Sequence, residues 1–234
     1  MALPSITAPE YTLTLPSNKK KVKYRPFLVK EEKLLLFAAE SGEREEMMSA
    51  VAQMIDNCVL DDIDSRKLPY FDFEHLFLHI RAKSVGETST FIVKHDKEGC
   101  GHQNEVTVQL DKIIHQTDKD HKSSFQLTDK IGIKMKYPTI ESIKTFIEIE
   151  NDPTKILNMF TESIECVYDE DEVYDDFTKE EAVEFLESLS KEQFDKVALF
   201  FQTMPSSKIE VKYKCEGCGE NVKTTVSGFE DFFS

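Results

Sequence analysis

The sequence lacks the long apolar runs and the leader pattern that would direct a protein into or across a membrane. No apolar run in its 234 residues approaches the roughly 18 to 20 residues that a membrane-spanning helix needs. The opening stretch, MALPSITAPEYTLTLPSNKKK, does not place a charged segment before an apolar one, as a signal peptide does. We therefore expect no direct membrane insertion, and a protein that is cytosolic until it joins an assembly.

Positive charge is also scarce. The chain has 29 Lys and Arg residues against 44 Asp and Glu residues, which gives a net charge of −15. Non-specific nucleic-acid binding depends on cationic side chains that neutralise phosphates, so this balance argues against a nucleic-acid partner. Acidic residues concentrate in YDEDEVYDDFTKEE, residues 168–181. This stretch is either a solvated loop leading into a helix or a docking surface for a basic partner.

Several enzyme signatures are missing. The chain contains no P-loop, no G-x-G-x-x-G and no G-x-S-x-G motif. His75 and His79 lie four residues apart in a helical pattern, but no Glu follows His75, so the metalloprotease motif H-E-x-x-H is absent. Apolar residues surround both histidines and favour a packing role. We expect no catalytic residues, no small-molecule substrate and no enzymatic activity.

Cysteine is sparse, and its count is odd. Five cysteines in a cytosolic protein argue against a disulfide framework. Cys58 and Cys166 each follow a helical pattern, so both are predicted to be small buried side chains on helices. The other three cysteines each adjoin a glycine, which is typical of tight turns: Cys100, Cys215 and Cys218.

Hydrophobic periodicity divides the chain into five segments and predicts an α+β fold. The segments are an extended Pro-rich arm with at most one edge strand (1–30), an N-terminal helical region (31–87), a first Cys/His hairpin with a β region (88–137), a helical block with the acidic loop (138–205), and a second hairpin with an aromatic tail (206–234). The two Cys-bearing hairpins form a small β module that resembles a zinc ribbon.

Capping signals predict where several helices begin and end. Gly42 is expected to end the first helix, and Asp72 is the predicted N-cap of a helix through about Lys83. Two capping boxes, in which Ser or Thr precedes Glu or Gln by three residues, mark later helix starts: Thr178 with Glu181, and Ser190 with Gln193.

Two stretches of the chain echo each other. An ungapped alignment of FIVKHDKEGCG (91–101) with IEVKYKCEGCG (209–219) pairs Cys100 with Cys218 and Lys97 with Cys215. Each stretch reads as a strand and a tight turn, and a further strand follows it. Two hairpins with Cys-bearing tips are therefore predicted to converge on one tetrahedral ion.

The predicted ligands of a structural zinc ion are Cys100, His102, Cys215 and Cys218. His95 is the reserve fourth ligand because it lies near the same tip, whereas Lys97 cannot coordinate a metal while protonated. Four protein ligands leave no position for water or substrate, so the site would be structural rather than catalytic. Two alternatives are a metal-free relic of such a site and a redox-active C-x-x-C pair.

Three stretches together resemble one protein family. They are YRPFLVKEEKLLL (24–36), LPYFDFEHLFLHIRAKSVGE (68–87) and the closing CEGCG with GFEDFF. Over nearly its full length the chain is similar to the baseplate hub proteins of T4-like bacteriophages, which are described as hub subunits or hub assembly chaperones. The resemblance implies a late protein of a contractile-tail phage that builds the baseplate without enzymatic activity.

The resemblance also implies partners and a location. The partners would be other phage baseplate hub proteins, met in the host cytoplasm during assembly, and the virion would be the location of a permanent subunit. In relatives we expect C-x-x-C at both tips, and this chain departs from that pattern at Lys97. YRPFLVKEEK and the terminal FEDFF are each either a docking element or a segment packed on the protein itself. A zinc-ribbon adaptor, a thiol oxidoreductase and a metal hydrolase are the competing classes.

Overall fold

The computed structural model describes residues 6–110, 114–116, 118–142 and 153–227. Its helices and small antiparallel sheets confirm the α+β class. The α-helices are α1 (Val29–Ser41), α2 (Arg44–Cys58), α3 (Tyr70–Ser84), α4 (Pro153–Glu162), α5 (Lys179–Glu187) and α6 (Lys191–Thr203). The strands are β1 (Tyr11–Thr14), β2 (Lys21–Tyr24), β3 (Thr88–Lys94), β4 (Gln103–Gln109), β5 (Ile114–Gln116), β6 (Ser124–Gln126), β7 (Gly132–Met135), β8 (Ile164–Tyr168), β9 (Val173–Tyr174), β10 (Ser206–Lys214) and β11 (Asn221–Ser227).

The chain divides into two compact units. The first, which we call the hairpin unit, comprises residues 1–65, 71–116 and 206–234, and the second, the inserted unit, comprises residues 66–70 and 117–205. Within the hairpin unit, β10 pairs antiparallel with both β11 and β5, and Ser206 lies opposite Gln116. Segment 117–205 is therefore an insertion in the chain between two strands, β5 and β10, that pair with each other in the hairpin unit. Across the described residues, no helix is long and apolar enough to cross a membrane.

The N-terminal segment is a β-hairpin rather than an extended arm. β1 and β2 pair antiparallel, with Leu13 opposite Val22. Leu13, Val22 and Tyr24 are buried. The four prolines within residues 1–30 led to the expectation of at most one edge strand. The short alternating runs YTLT and KVKY nonetheless provide buried faces on two strands, because alternate residues of a strand share a face.

A buried carboxylate organises the start of α1. Glu31 is 1% exposed and accepts hydrogen bonds from the Leu28 backbone N–H at 2.8 Å and from the Arg25 guanidinium at 3.1 Å. Burial raises the pKa of Glu31, but these hydrogen bonds outweigh burial and hold the pKa below its ordinary value. The start of YRPFLVKEEK is thus packed on its own unit, and α1 ends before Gly42 (φ 70°), as predicted.

Removing this carboxylate is expected to destabilise the hairpin unit. Glu31→Ala leaves Arg25 without its ion-pair partner, and breaking a largely buried pair in this way costs about 2–4 kcal/mol at neutral pH. Because the pKa of Glu31 is lowered by folding, its contribution is complete above about pH 4.5 and is lost as the pH falls through the folded-state value. Urea denaturation should show that the free energy of unfolding of the variant is well below that of the unmodified protein at pH 7. The difference should be smaller at pH 3. Glu32→Ala, which alters an exposed neighbour, should change little at either pH.

α3 begins at Tyr70, three residues earlier than an N-cap at Asp72 predicts. Asp72 lies inside its first turn, fully buried, and accepts hydrogen bonds from the backbone N–H of Ser17 at 3.0 Å and from the Ser17 hydroxyl. Its carboxylate therefore links α3 to the β1–β2 turn instead of capping the helix.

The His75 and His79 rings contact each other edge to face, and burial lowers the pKa of His79, as expected for packed histidines.

The inserted unit contains a four-stranded sheet in the order β6-β7-β8-β9. Its apolar core includes Ile133, Val197 and Phe200, which are fully buried. The prediction of an entirely helical block over 138–205 is wrong, because β8 and β9 lie within it. Cys166 accordingly lies on β8, half-buried, rather than on a helix. Periodicity cannot separate a strand from a helical segment in a run as short as IECVY.

Both capping boxes in the inserted unit are confirmed. Thr178 accepts a hydrogen bond from the Glu181 N–H, and Ser190 accepts one from the Gln193 N–H, at the starts of α5 and α6. A further predicted helix, after Pro138, begins at residue 140, and most of it lies outside the described residues. The FEDFF tail also lies outside them.

Candidate metal centre

The two Cys-bearing hairpins of the hairpin unit are β3–β4 and β10–β11. In the first, Lys94 and Gln103 are the last paired residues, and the tip spans residues 95–102. In the second, Lys214 and Asn221 are the last pair, and the tip spans residues 215–220. The predicted hairpins are therefore present, and each carries its cysteines in the tip.

The two tips bring together the side chains of His95, Cys100, Cys215 and Cys218. One ligand atom from each residue lies within 4.8 Å of the other three. The Sγ atoms of Cys100 and Cys215 are 3.7 Å apart, and Cys218 Sγ lies 3.5 Å from His95 Nδ1. His95 and Cys215 are 9% and 1% exposed. This group of three thiols and an imidazole could hold a metal ion.

His102, the predicted fourth ligand, is not part of this group, and His95, the reserve, takes its place. The His102 side chain lies against the second tip, where a Cβ added to Gly217 would be 2.6 Å from His102 Cβ. The backbone of His102 hydrogen-bonds the Cys100 thiol. His102 therefore serves the site through its main chain, while its ring packs on the glycine of the opposite tip.

His95 replaces His102 in the group because the first tip is two residues longer than the second. The first tip has eight residues and the second has six. The His95 N–H donates to the His102 carbonyl at 2.9 Å, as the Cys215 N–H donates to the Glu220 carbonyl at 2.8 Å. His95 is thus the structural counterpart of Cys215. The ungapped alignment paired Lys97 with Cys215, and a two-residue shift is hard to detect because it keeps every strand residue on the same face.

Lys97 has a different role from the one its aligned position suggested. Its ammonium group lies 2.7 Å from the Glu220 carboxylate, so it joins the two tips by an ion pair. The pair raises the pKa of Lys97 and lowers the pKa of Glu220. Because both side chains are about half exposed, water and salt screen the attraction. The alignment of the tips must therefore rest mainly on buried contacts.

Asn104, which no sequence motif marks, supplies those contacts. It is 2% exposed, and its Oδ1 accepts a hydrogen bond from the Glu216 N–H at 2.8 Å. Its Nδ2 donates to the His102 carbonyl at 3.1 Å and lies 3.7 Å from Cys215 Sγ. One amide thus connects both tips and a ligand. The signal was a polar residue on the buried face of β4, which otherwise carries Val106 and Val108.

Replacing Asn104 is expected to weaken metal binding without removing a ligand. Asn104→Ala leaves the Glu216 N–H without its partner and frees the Cys215 thiol to rotate. Loss of such a supporting residue lowers metal affinity by about 10- to 100-fold. Competition with a chromogenic chelator measures the change. Asn221→Ala, the same substitution at an exposed position of β11, should leave the affinity within about twofold, and equal affinities for the two variants would contradict the assigned role.

The local electrostatics favour a thiolate at Cys215. Burial raises the pKa of Cys215, but hydrogen bonds from the backbone N–H groups of Cys218 and Gly217, with the His95 ring, outweigh burial and lower the pKa to about 6. At Cys100 the His102 backbone lowers the pKa, but burial and the adjacent thiols outweigh that bond, so the pKa of Cys100 is raised. Since the thiolate is the metal-binding form, this environment favours the form of Cys215 that can bind a cation.

The fold and the site together define a class of protein. An α+β chain brings together four side chains that could each supply one ligand atom to a metal ion, and a full set of four protein ligands is typical of structural sites. Residues 8–234 match the family described as T4 bacteriophage base plate protein, and the chain belongs to that family. No curated protein and no solved structure matches it significantly. The family membership confirms the resemblance to T4-like baseplate proteins.

Proposed function

We propose that the protein is a non-enzymatic component of the phage baseplate hub, or a chaperone for hub assembly, and that it acts through contacts with other hub proteins. The match to the baseplate family over residues 8–234 carries this proposal. The closed ligand group agrees with it, because it offers no position at which a substrate could bind a metal. The protein would work in the host cytoplasm during assembly, and in the virion tail if it is a permanent subunit.

We further infer that the ion is zinc. In a tetrahedral site with Zn–S bonds of about 2.3 Å and Zn–N bonds of about 2.05 Å, two sulfurs lie about 3.8 Å apart and a sulfur and a nitrogen about 3.6 Å apart. The separations here are 3.7 Å for Cys100 and Cys215 and 3.5 Å for Cys218 and His95. Thiolate and imidazole ligands also suit zinc better than the oxygen-seeking cations magnesium and calcium.

The competing functions have less support. In a dithiol redox site the C-x-x-C pair itself should be the reacting pair, whereas the 3.7 Å contact here joins Cys215 to Cys100 of the other tip. Such convergence of two tips favours a metal clamp. A nucleic-acid adaptor is disfavoured by the net charge of −15.

Co-purification from infected cells tests the assembly role. A tagged chain is captured during late infection and its partners are identified, while purified mature particles are assayed for the same chain. We expect other baseplate hub proteins in the captured complex. Stoichiometric presence in particles identifies a structural subunit, and absence from particles combined with presence in hub precursors identifies a chaperone. Capture without any baseplate protein would overturn the proposal.

A further inference from the structure

A second feature lies in the inserted unit, and none of its lining residues belongs to the metal centre. It is an apolar cavity of about 340 Å³ between the β8–β9 edge of the sheet and α5. Ile164 and Ala182, both buried, supply part of its lining, and Phe177 and Phe185 add aromatic surface. The cavity is large enough to receive a bulky apolar side chain.

One wall of the cavity is held in place while facing solvent. Tyr174 on β9 lines the cavity and is 46% exposed. Its hydroxyl donates to Asp169 Oδ2 at 3.1 Å. Asp169 Oδ1 accepts hydrogen bonds from the N–H groups of Asp171 and Glu172, which fixes the β8–β9 turn beside the cavity. The recess is therefore formed in the free protein, and binding would not require the turn to be ordered first.

Strong negative charge surrounds the same recess. Residues 168–181 contain eight Asp and Glu residues and one Lys. Asp169 and Glu181 line the cavity, and the neighbouring acidic residues, including Asp175 and Asp176, are exposed. An apolar recess with an acidic rim is complementary to an apolar side chain with basic neighbours. A second copy of this acidic protein has the wrong overall charge for the rim.

We propose that this cavity, which we call the acidic-rimmed pocket, binds a segment of a partner protein in which a large apolar side chain is flanked by Lys or Arg. The apolar side chain would enter the pocket, where burial of a single anchor dominates the free energy of such contacts. The flanking cations would meet the rim, accelerate association and make binding sensitive to salt. The inference deepens the proposed function, since it gives the chemistry of one partner surface.

Labelled peptides test the pocket on the full chain. The probes are KKGFGKK, KKGAGKK and EEGFGEE, each with the same fluorophore, and the measurement is fluorescence anisotropy at 50 mM and 500 mM NaCl. We expect KKGFGKK to bind at least tenfold more tightly than either other peptide at low salt, and to weaken by about tenfold at high salt. Equal binding of the Phe and Ala peptides, equal binding of the basic and acidic peptides, or no binding of any peptide would overturn the proposal.

Matched variants locate the binding. Tyr174→Ala removes part of the pocket wall and should lower the affinity for KKGFGKK at least fivefold. Val173→Ala changes the adjacent exposed residue of β9, which does not line the pocket, and should have no effect. Should Tyr174→Ala fail to fold, the exposed double substitution Asp175→Asn with Asp176→Asn should still weaken binding, and Glu45→Gln with Glu46→Gln on α2 should not.

The peptide result and the co-purification result can fail separately. If baseplate proteins are captured but the peptides show no preference, the pocket inference is wrong and the assembly role stands. If the peptides bind as expected but no baseplate protein is captured, the pocket is a recognition site and the assembly role is wrong. Concentration-dependent self-association abolished by Tyr174→Ala would identify a second copy as the occupant and overturn the basic-partner proposal.

Discussion

Cys215→Ser is expected to reduce bound zinc from about one ion per chain to a small fraction of that value. The substitution removes the most buried ligand and the contact from Asn104. Structural zinc contributes on the order of 10 kcal/mol of folding free energy in small peptides. Strand pairing within each hairpin remains in the variant, so we expect a partial loss here, with a fall in melting temperature of roughly 10 °C or more.

Elemental analysis and thermal unfolding measure this result. The control is Cys166→Ser, which makes the same substitution on β8 of the inserted unit, outside the ligand group. It should keep the zinc content and shift the melting temperature by only a few degrees. Absence of metal from the unmodified protein, purified without chelators, would refute the zinc proposal directly. A melting temperature unchanged by Cys215→Ser would show that the ion does not stabilise the fold.

The second large effect distinguishes the two histidines. His95→Ala removes a ligand and should lower zinc affinity at least 100-fold, more than the loss of a supporting residue does. His102→Ala keeps the backbone hydrogen bond to Cys100 and should change affinity no more than about fivefold. Both affinities come from chelator competition at pH 7. If His102→Ala lowered zinc affinity more than His95→Ala, the ligand set predicted from the sequence would be supported. That result would contradict the register of the first tip.

Residues with a local signature were predictable from the sequence. The capping boxes at Thr178 and Ser190 and the helix end at Gly42 are set by neighbouring side chains and backbone geometry, and all three are confirmed. The same holds for the Cys-bearing hairpins, because alternation and a glycine-containing turn specify a hairpin within a few residues. The three cysteines of the ligand group were found for this reason.

Features that depend on distant partners were not predictable. The local sequence around Asp72 is typical of an N-cap. Its carboxylate instead accepts a hydrogen bond from Ser17, 55 residues away in the chain. β8 is a strand because β7 lies beside it, and nothing within IECVY shows that neighbour. Whether His95 or His102 joins the three cysteines depends on the lengths of the tips, which differ by two residues. Because EGCG occurs in both stretches, an ungapped alignment does not show this difference.

The four candidate ligands come from two parts of the chain that are far apart in the order of synthesis. A ribosome makes His95 and Cys100 first, and the chain then grows by the whole of segment 117–205 before Cys215 and Cys218 follow. Two ligands do not complete a tetrahedral site, so the proposed zinc ion would not be bound with high affinity before Cys215 and Cys218 have been made. A chain truncated before residue 215 would be left without half of its ligands and without β11. Under the zinc proposal, a nascent chain can therefore hold the ion firmly only once residues 215–218 have been added.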